Sequence, residues 1–227
     1  MSRRTPTVVL LDAGNTLLEL DYALIAERLS AHDCPTDATA VRDAEQGARP
    51  RLDAYLASGV STEAPQSFQR HLGELLDDLG FRGDRHALIE DLRSQTRLWS
   101  PPIAGAAQAL EQLAERGHRL GVISNADGHA RRRLADAGLM AHIEVVIDSA
   151  RVGCEKPDPR IFALGLEALG VRADQAIYVG DLPAIDGRGA RAAGLDFVLI
   201  DPAGVFDHRP SIRSVAALPE FLAGLQP

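Results

Sequence analysis

Lysine is almost absent from this 227-residue chain: of its 24 Lys and Arg residues only one, Lys156, is lysine. A chain that uses arginine wherever a positive charge will do keeps an ammonium where a compact point charge is wanted, although chance survival of one residue would look the same. Basic excess is lacking as well. The formal net charge of −8 excludes the basic face that non-specific nucleic-acid binding requires. No apolar run approaches the ~20 residues of a membrane helix. The run Val8–Leu11 near the N-terminus is too short for a signal-peptide core and stops at Asp12, so no secretion is expected. Cysteine is scarce: Cys34 and Cys154 lie far apart, in no metal or redox spacing, and are expected as reduced thiols in a cytoplasm. Internal repeats and low-complexity tracts are missing too.

What is present is an ordinary globular composition, 45% hydrophobic and 25% charged, on a chain long enough for one sizeable domain or one domain with an insert. Five short aliphatic segments recur: Val8–Leu11, Leu120–Ile123, Val145–Ile147, Ile177–Val179 and Phe197–Ile200. Each runs into a polar residue, namely Asp12, Ser124, Asp148, Asp181 (after Gly180) and Asp201. Between the later ones lie stretches of helical period, over 103–116, 130–137, 157–169 and 184–193, ending at Gly117, Gly138, Gly170 and Gly194. Strand and helix alternate, and the strands are too apolar for one solvated face. The expected fold class is therefore α/β, a doubly wound parallel sheet.

Residues 21–99 read differently. Helices are expected over 21–32, 38–57, 66–79 and 85–99, with Pro50 kinking or splitting the second, and no strand is expected. Pro101-Pro102 marks the return to the core. The division implied is a core of residues 1–20 and 100–227 with a helical insert, 21–99, between its first strand and the rest.

Ligands of open α/β sheets bind outside the carboxyl ends of the strands. The residues expected to converge there are Asp12, Ser124, Asn125, Lys156, Asp181 and Asp186. Carboxylates hold a hard cation such as Mg²⁺; the cation and Lys156 would neutralise an anionic substrate, and Ser124 and Asn125 could hydrogen-bond its oxygens. Ser124, Asn125, Asn15 and Thr16 could equally cap or turn the chain, and Asp186 could be a charge favoured at a helix N-terminus.

In this order the motifs Val8-Val-Leu-Leu-Asp12-Ala-Gly-Asn-Thr16, Gly121-Val-Ile-Ser124-Asn125, Gly153-Cys-Glu-Lys156-Pro-Asp-Pro and Gly180-Asp181-Leu-Pro-Ala-Ile-Asp186 resemble the haloacid dehalogenase superfamily. The resemblance implies a Rossmann-like core with a helical cap formed by the insert. It also implies a Mg²⁺-dependent phosphatase acting on a small phosphorylated molecule. Asp12 would be the nucleophile and form an aspartyl-phosphate. Asp12, the Gly14 carbonyl, Asp181 and Asp186 would hold the metal, and Ser124 and Lys156 the phosphoryl group. Thr16 would orient the nucleophile loop and contact the substrate.

One position departs from the pattern. Phosphatases of the superfamily usually carry a second Asp two residues after the nucleophile, as proton donor; here it is Gly14. Three readings remain. The proton could come from elsewhere (Glu19, a carboxylate or His of the insert, water on the metal) or be dispensable for an activated leaving group, the reading favoured. The chain could be a haloacid dehalogenase, although such enzymes work without the Gly-Asp…Asp arrangement of Gly180, Asp181 and Asp186. Or it could bind phosphate without turnover. Phosphonate cleavage through an insert lysine is excluded, because residues 21–99 contain none.

Overall fold

The computed structural model describes residues 6–95 and 97–225; the outermost residues of the expected core, 1–5 and 226–227, lie outside the described residues. The chain builds a six-stranded parallel sheet in the order β5-β4-β1-β6-β7-β8. Its strands are β1 (Val8–Leu11), β4 (Arg119–Ser124), β5 (Ile143–Asp148), β6 (Ala176–Gly180), β7 (Asp196–Ile200) and β8 (Ser211–Ile212). Central β1 pairs with β4 on one side and β6 on the other. Its alternating side chains feed two cores. Val9 and Leu11 pack with Leu110 and Leu113 of α5 (Ala106–Glu115) and Leu134 of α6 (Ala130–Asp136), while Val8 and Leu10 pack with Ile161, Phe162 and Leu166 of α8 (Pro159–Leu169). Both faces are covered, which is why the strands read as continuous apolar runs.

The five sequence-predicted strands form, and the glycines expected to end the core helices, Gly117, Gly138, Gly170 and Gly194, all adopt left-handed φ. Two short pairings were not foreseen. Edge strand β8 adds two residues to the sheet, and β2 (Leu18–Leu20) pairs antiparallel with β3 (Trp99–Pro102). That small ladder joins the two ends of the insert.

The insert is α1 (Tyr22–Ala31), α2 (Ala38–Leu56), α3 (Pro65–Asp78) and α4 (Arg85–Ser94). It has its own core of Ile25, Leu29, Val41, Leu72, Leu75, Leu88 and Leu92. Three expectations need correction. Helix α2 is not split at Pro50; that residue forgoes one backbone hydrogen bond, but buried Ala48, Arg49, Leu52 and Leu56 anchor the turns around it. The fourth helix stops at Ser94 rather than reaching Trp99, because the chain must turn to pair with β2 and Pro101 and Pro102 cannot continue a helix. Helix α8 starts at Pro159 behind an Asp158 cap, so Pro157 lies in the preceding turn. The insert sits on the core where Leu52 and Leu56 meet Ile185, and Asp53 accepts a hydrogen bond from the Ala184 N–H at 2.8 Å.

Candidate active site

The strand ends and the underside of the insert enclose a cavity of about 490 Å³. Asp12, at the end of β1, Asp181, just past β6, and Asp186 present carboxylate oxygens within 4.8 Å of one another, all three buried. The last lies in a wide helical turn, Pro183–Gly187, that precedes α9 (Arg188–Ala192). Lys156 is buried among them. Its Nζ donates to Asp12 Oδ1 at 2.6 Å, Asp186 Oδ1 at 2.8 Å and the Tyr178 hydroxyl at 3.1 Å. The tyrosine in turn donates to the Ile123 carbonyl at 2.9 Å, which fixes the ammonium's position from below.

The two metal-motif aspartates are held differently. Asp186 Oδ2 accepts from the backbone N–H groups of Asp181 (3.1 Å) and Leu182 (3.0 Å), so its carboxylate closes the turn as well as facing Lys156. Gly180 makes this possible: a Cβ there would come within 2.4 Å of the Asp186 carboxyl carbon. The Asp181 carboxylate is less engaged, its nearest cation being Arg49 Nη1 at 4.0 Å.

Charge in this centre is unbalanced. Burial pushes the Asp12 carboxyl up to about 6 despite Lys156 beside it, with Asp186 adding to the rise. Burial likewise lifts Asp181 well above the usual range, against the pull of Arg49. For Lys156, burial opposes the ammonium, but Asp12 and Asp186 more than offset it and hold its pKa well above the usual value. Three buried carboxylates facing one lysine and one half-engaged arginine form an all-oxygen site short of positive charge. That donor set fits a hard divalent cation such as Mg²⁺.

Of the remaining expected residues, Ser124 ends β4 on the cavity wall, while Gly14 lines it next to Asp12. Asn125 is fully engaged: its Oδ1 accepts from the Lys156 N–H (2.7 Å), and its Nδ2 donates to the Lys156 carbonyl (2.9 Å) and to Thr62 Oγ1 (2.7 Å). It clamps the lysine loop and a loop of the insert instead of presenting a free amide. Thr16 is completely buried and does not line the cavity, so the substrate contact expected of it is absent.

The sequence reading missed the insert's contribution. Glu45 of α2, with no exposed surface, accepts hydrogen bonds from Arg49 (Nε at 2.9 and 3.1 Å, Nη2 at 2.8 Å), Tyr22 (3.2 Å) and Asn15 (3.3 Å), and lies 3.1 Å from His71 Nε2. Burial raises its pKa, but Arg49 and His71 more than offset this and bring it to about 2. Arg49 is thereby fixed with Nη1 buried and without a hydrogen-bond partner among the described residues, on the cavity side. Asn15, at φ 53°, is the link from this hub to the nucleophile loop. The signal was available: Val41, Glu45, Ala48, Leu52 and Leu56 share one helical face, so a charged residue stands on a buried stripe.

A doubly wound sheet whose strand ends gather a carboxylate–lysine centre is an α/β fold with its polar site where ligands of such sheets bind. A model of the haloacid dehalogenase-like hydrolases matches residues 6–194, and the chain belongs to that family. Among curated relatives, phosphoserine phosphatase of Thermus thermophilus is 35% identical over 134 residues, 59% of this chain, and the match spans only about half (54%) of the relative. Haloacid dehalogenase-like hydrolase domain-containing protein 3 of Homo sapiens is 30% identical over 94% of this chain and 91% of its own. Among solved structures, the 2-haloacid dehalogenase of Pseudomonas syringae pv. Tomato DC3000 superposes with a TM-score of 0.56 at 27% identity, covering 96% of this chain and 99% of that one.

Proposed function

We propose that this chain is a Mg²⁺-dependent phosphatase that hydrolyses a phosphate monoester through an aspartyl-phosphate on Asp12, with residues 21–99 acting as a cap over the site. The observation that carries this is the triad of Asp12, Asp181 and Asp186 with Lys156 Nζ between Asp12 and Asp186. A dehalogenase needs the nucleophile and the lysine but gains nothing from two further buried carboxylates, which would repel its anionic substrate unless a cation offset them.

In this reading Asp12 attacks phosphorus and the ester oxygen departs with the bond electrons. Lys156 and Ser124 hold the phosphoryl oxygens as charge builds on them. Tyr178 and the Asn125 clamp keep the ammonium in place, from the side chain and the backbone respectively. Asp12, the Gly14 carbonyl, Asp181 and Asp186 would hold Mg²⁺, which would supply the positive charge that Lys156 alone does not. Water then attacks the acyl phosphate and regenerates the Asp12 carboxylate. Turnover of p-nitrophenyl phosphate with Mg²⁺ and its loss in chelator is the test. Full activity in chelator, or chloride release from 2-chloropropionate without phosphatase activity, would reject the reading in favour of dehalogenation.

A further inference from the structure

The position that lacks the second aspartate is occupied by something else. A Cβ built on Gly14 would stand 3.4–3.8 Å from three atoms of the six-membered ring of Trp99, so the indole covers the space into which a side chain at residue 14 would project. Trp99 is placed there by the β2–β3 ladder, in which it pairs with Leu20. Gly14 is not in the left-handed region, so backbone conformation does not demand glycine; the ring is the neighbour a side chain would meet.

The rest of the cavity continues this character. Phe68 and Leu98 stand with Trp99 in one apolar cluster, and Leu52, Leu56 and Ile185 form another, both opening on the cavity. Of the histidine and the acids there outside the aspartate–lysine centre, His71 and Asp127 are engaged and Glu63 stands on another loop than Gly14. His71 is held by Glu45, and Asp127 makes a bidentate pair with Arg133. Glu63, pushed up to about 7 by burial and by Asp127, Glu155 and Asp148, also lines the cavity, but from the loop that Thr62 ties to Asn125, whereas the atoms nearest a side chain at Gly14 are those of Trp99.

Resting on the phosphatase reading, we propose that the substrates are phosphate monoesters of aromatic hydroxyl compounds, with the ring seated against Trp99 and Phe68, rather than of aliphatic alcohols. When Asp12 bonds to phosphorus and the P–O bond to the leaving group breaks, the electron pair goes to that oxygen. With no acid over Gly14 to protonate it, the oxygen must carry the charge itself. A phenolate does so by delocalisation into its ring, whereas an alkoxide does not. The proton reaches the phenolate afterwards, from the water whose oxygen ends in inorganic phosphate. That second displacement expels a carboxylate, a weakly basic leaving group that needs no protonation. The wall that removes the proton donor is thus also the wall that fits the group able to leave without one.

The test compares kcat/KM, with Mg²⁺, for phenyl phosphate and cyclohexyl phosphate, which match in size but not in acidity, together with O-phosphoserine and ring-substituted phenyl phosphates. A general acid is worth ~10²–10⁴-fold, so phenyl phosphate should exceed cyclohexyl phosphate by ~100-fold or more, and the phenyl series should rise steeply with phenol acidity. Trp99→Ala, or Trp99→Leu should the first fail to fold, should lower the ratio of phenyl phosphate to O-phosphoserine. Cyclohexyl phosphate or O-phosphoserine within ~10-fold of phenyl phosphate, or a flat series, would overturn the inference while leaving the phosphatase reading intact. No turnover of any phosphate ester, p-nitrophenyl phosphate included, would remove both.

Discussion

Replacing Glu45 by Gln tests the buried hub that ties the insert to the nucleophile loop. Glu45 has no exposed surface and pairs with Arg49, itself 4% exposed. The change keeps the shape but removes the charge, leaving the guanidinium with Asp181 at 4.0 Å as its nearest remaining anion. Two routes give the magnitude. Depression of the Glu45 pKa from 4.5 to about 2 corresponds to about 3 kcal/mol at 1.36 kcal/mol per unit. Breaking one side of a buried pair typically costs about 3–5 kcal/mol. For a chain of this length, 3 kcal/mol is about 6–12 °C in Tm. Because the folded-state pKa lies below the unfolded one, this stabilisation is fully present above pH 4.5 and is lost as pH falls toward about 2. Urea melts of wild type and Glu45→Gln at pH 7 and pH 3 should therefore show a gap of about 3 kcal/mol that shrinks by more than half in acid. The double variant Glu45→Leu/Arg49→Met should recover part of the loss, since it removes the unpaired guanidinium, and only part, because it also takes from Asp181 its nearest cation. A gap below about 1 kcal/mol at pH 7, or one that persists at pH 3, would refute the charge-based account.

Three further outcomes are expected. The raised pKa values of Asp12 and Asp181 mean that, without metal, ionising them costs stability as pH rises above the ordinary carboxylate range, through about 6 in the case of Asp12; Mg²⁺ should therefore raise Tm at pH 7.5 and barely at pH 5, and an equal shift at both would contradict the assignment. Asp181→Ala should weaken Mg²⁺ binding by calorimetry more than it lowers Tm, whereas Asp186→Ala should do both, because Asp186 also accepts two backbone N–H groups and Lys156. Gly14→Asp should narrow the ratio of phenyl to cyclohexyl phosphate turnover by supplying a proton donor to the alkoxide; an unchanged ratio in a folded, Mg²⁺-binding variant would mean that another group already donates the proton.

The core was legible because its strands are apolar on both faces and stop at polar residues, so Asp12, Ser124 and Asp181 could be placed from chain order alone. Lys156 stood out by being the one lysine. The insert was legible only as helices. Which helical face would look down on the strand ends depends on how four helices pack, and the periodicity of one helix does not encode this. Arg49, His71 and Trp99 were missed for that reason. Trp99 was further hidden by being assigned to a helix, when the pairing of β3 with distant β2 decides its conformation. Asn125 and Thr16 were identified as polar residues of the right motifs, but the bonds by which Asn125 clamps the lysine loop, and the burial that keeps Thr16 off the cavity wall, exist only in three dimensions.

The most direct test of the central claim is mass spectrometry of the Asp12 peptide after acid quench of the enzyme with Mg²⁺ and p-nitrophenyl phosphate. The mass of one phosphoryl group should appear on that peptide early in turnover, decay as substrate is exhausted, and be missing in Asp12→Asn, whose steady-state rate should also vanish. Turnover near the wild-type rate in Asp12→Asn, or a phosphoryl group trapped on another residue, would contradict the account.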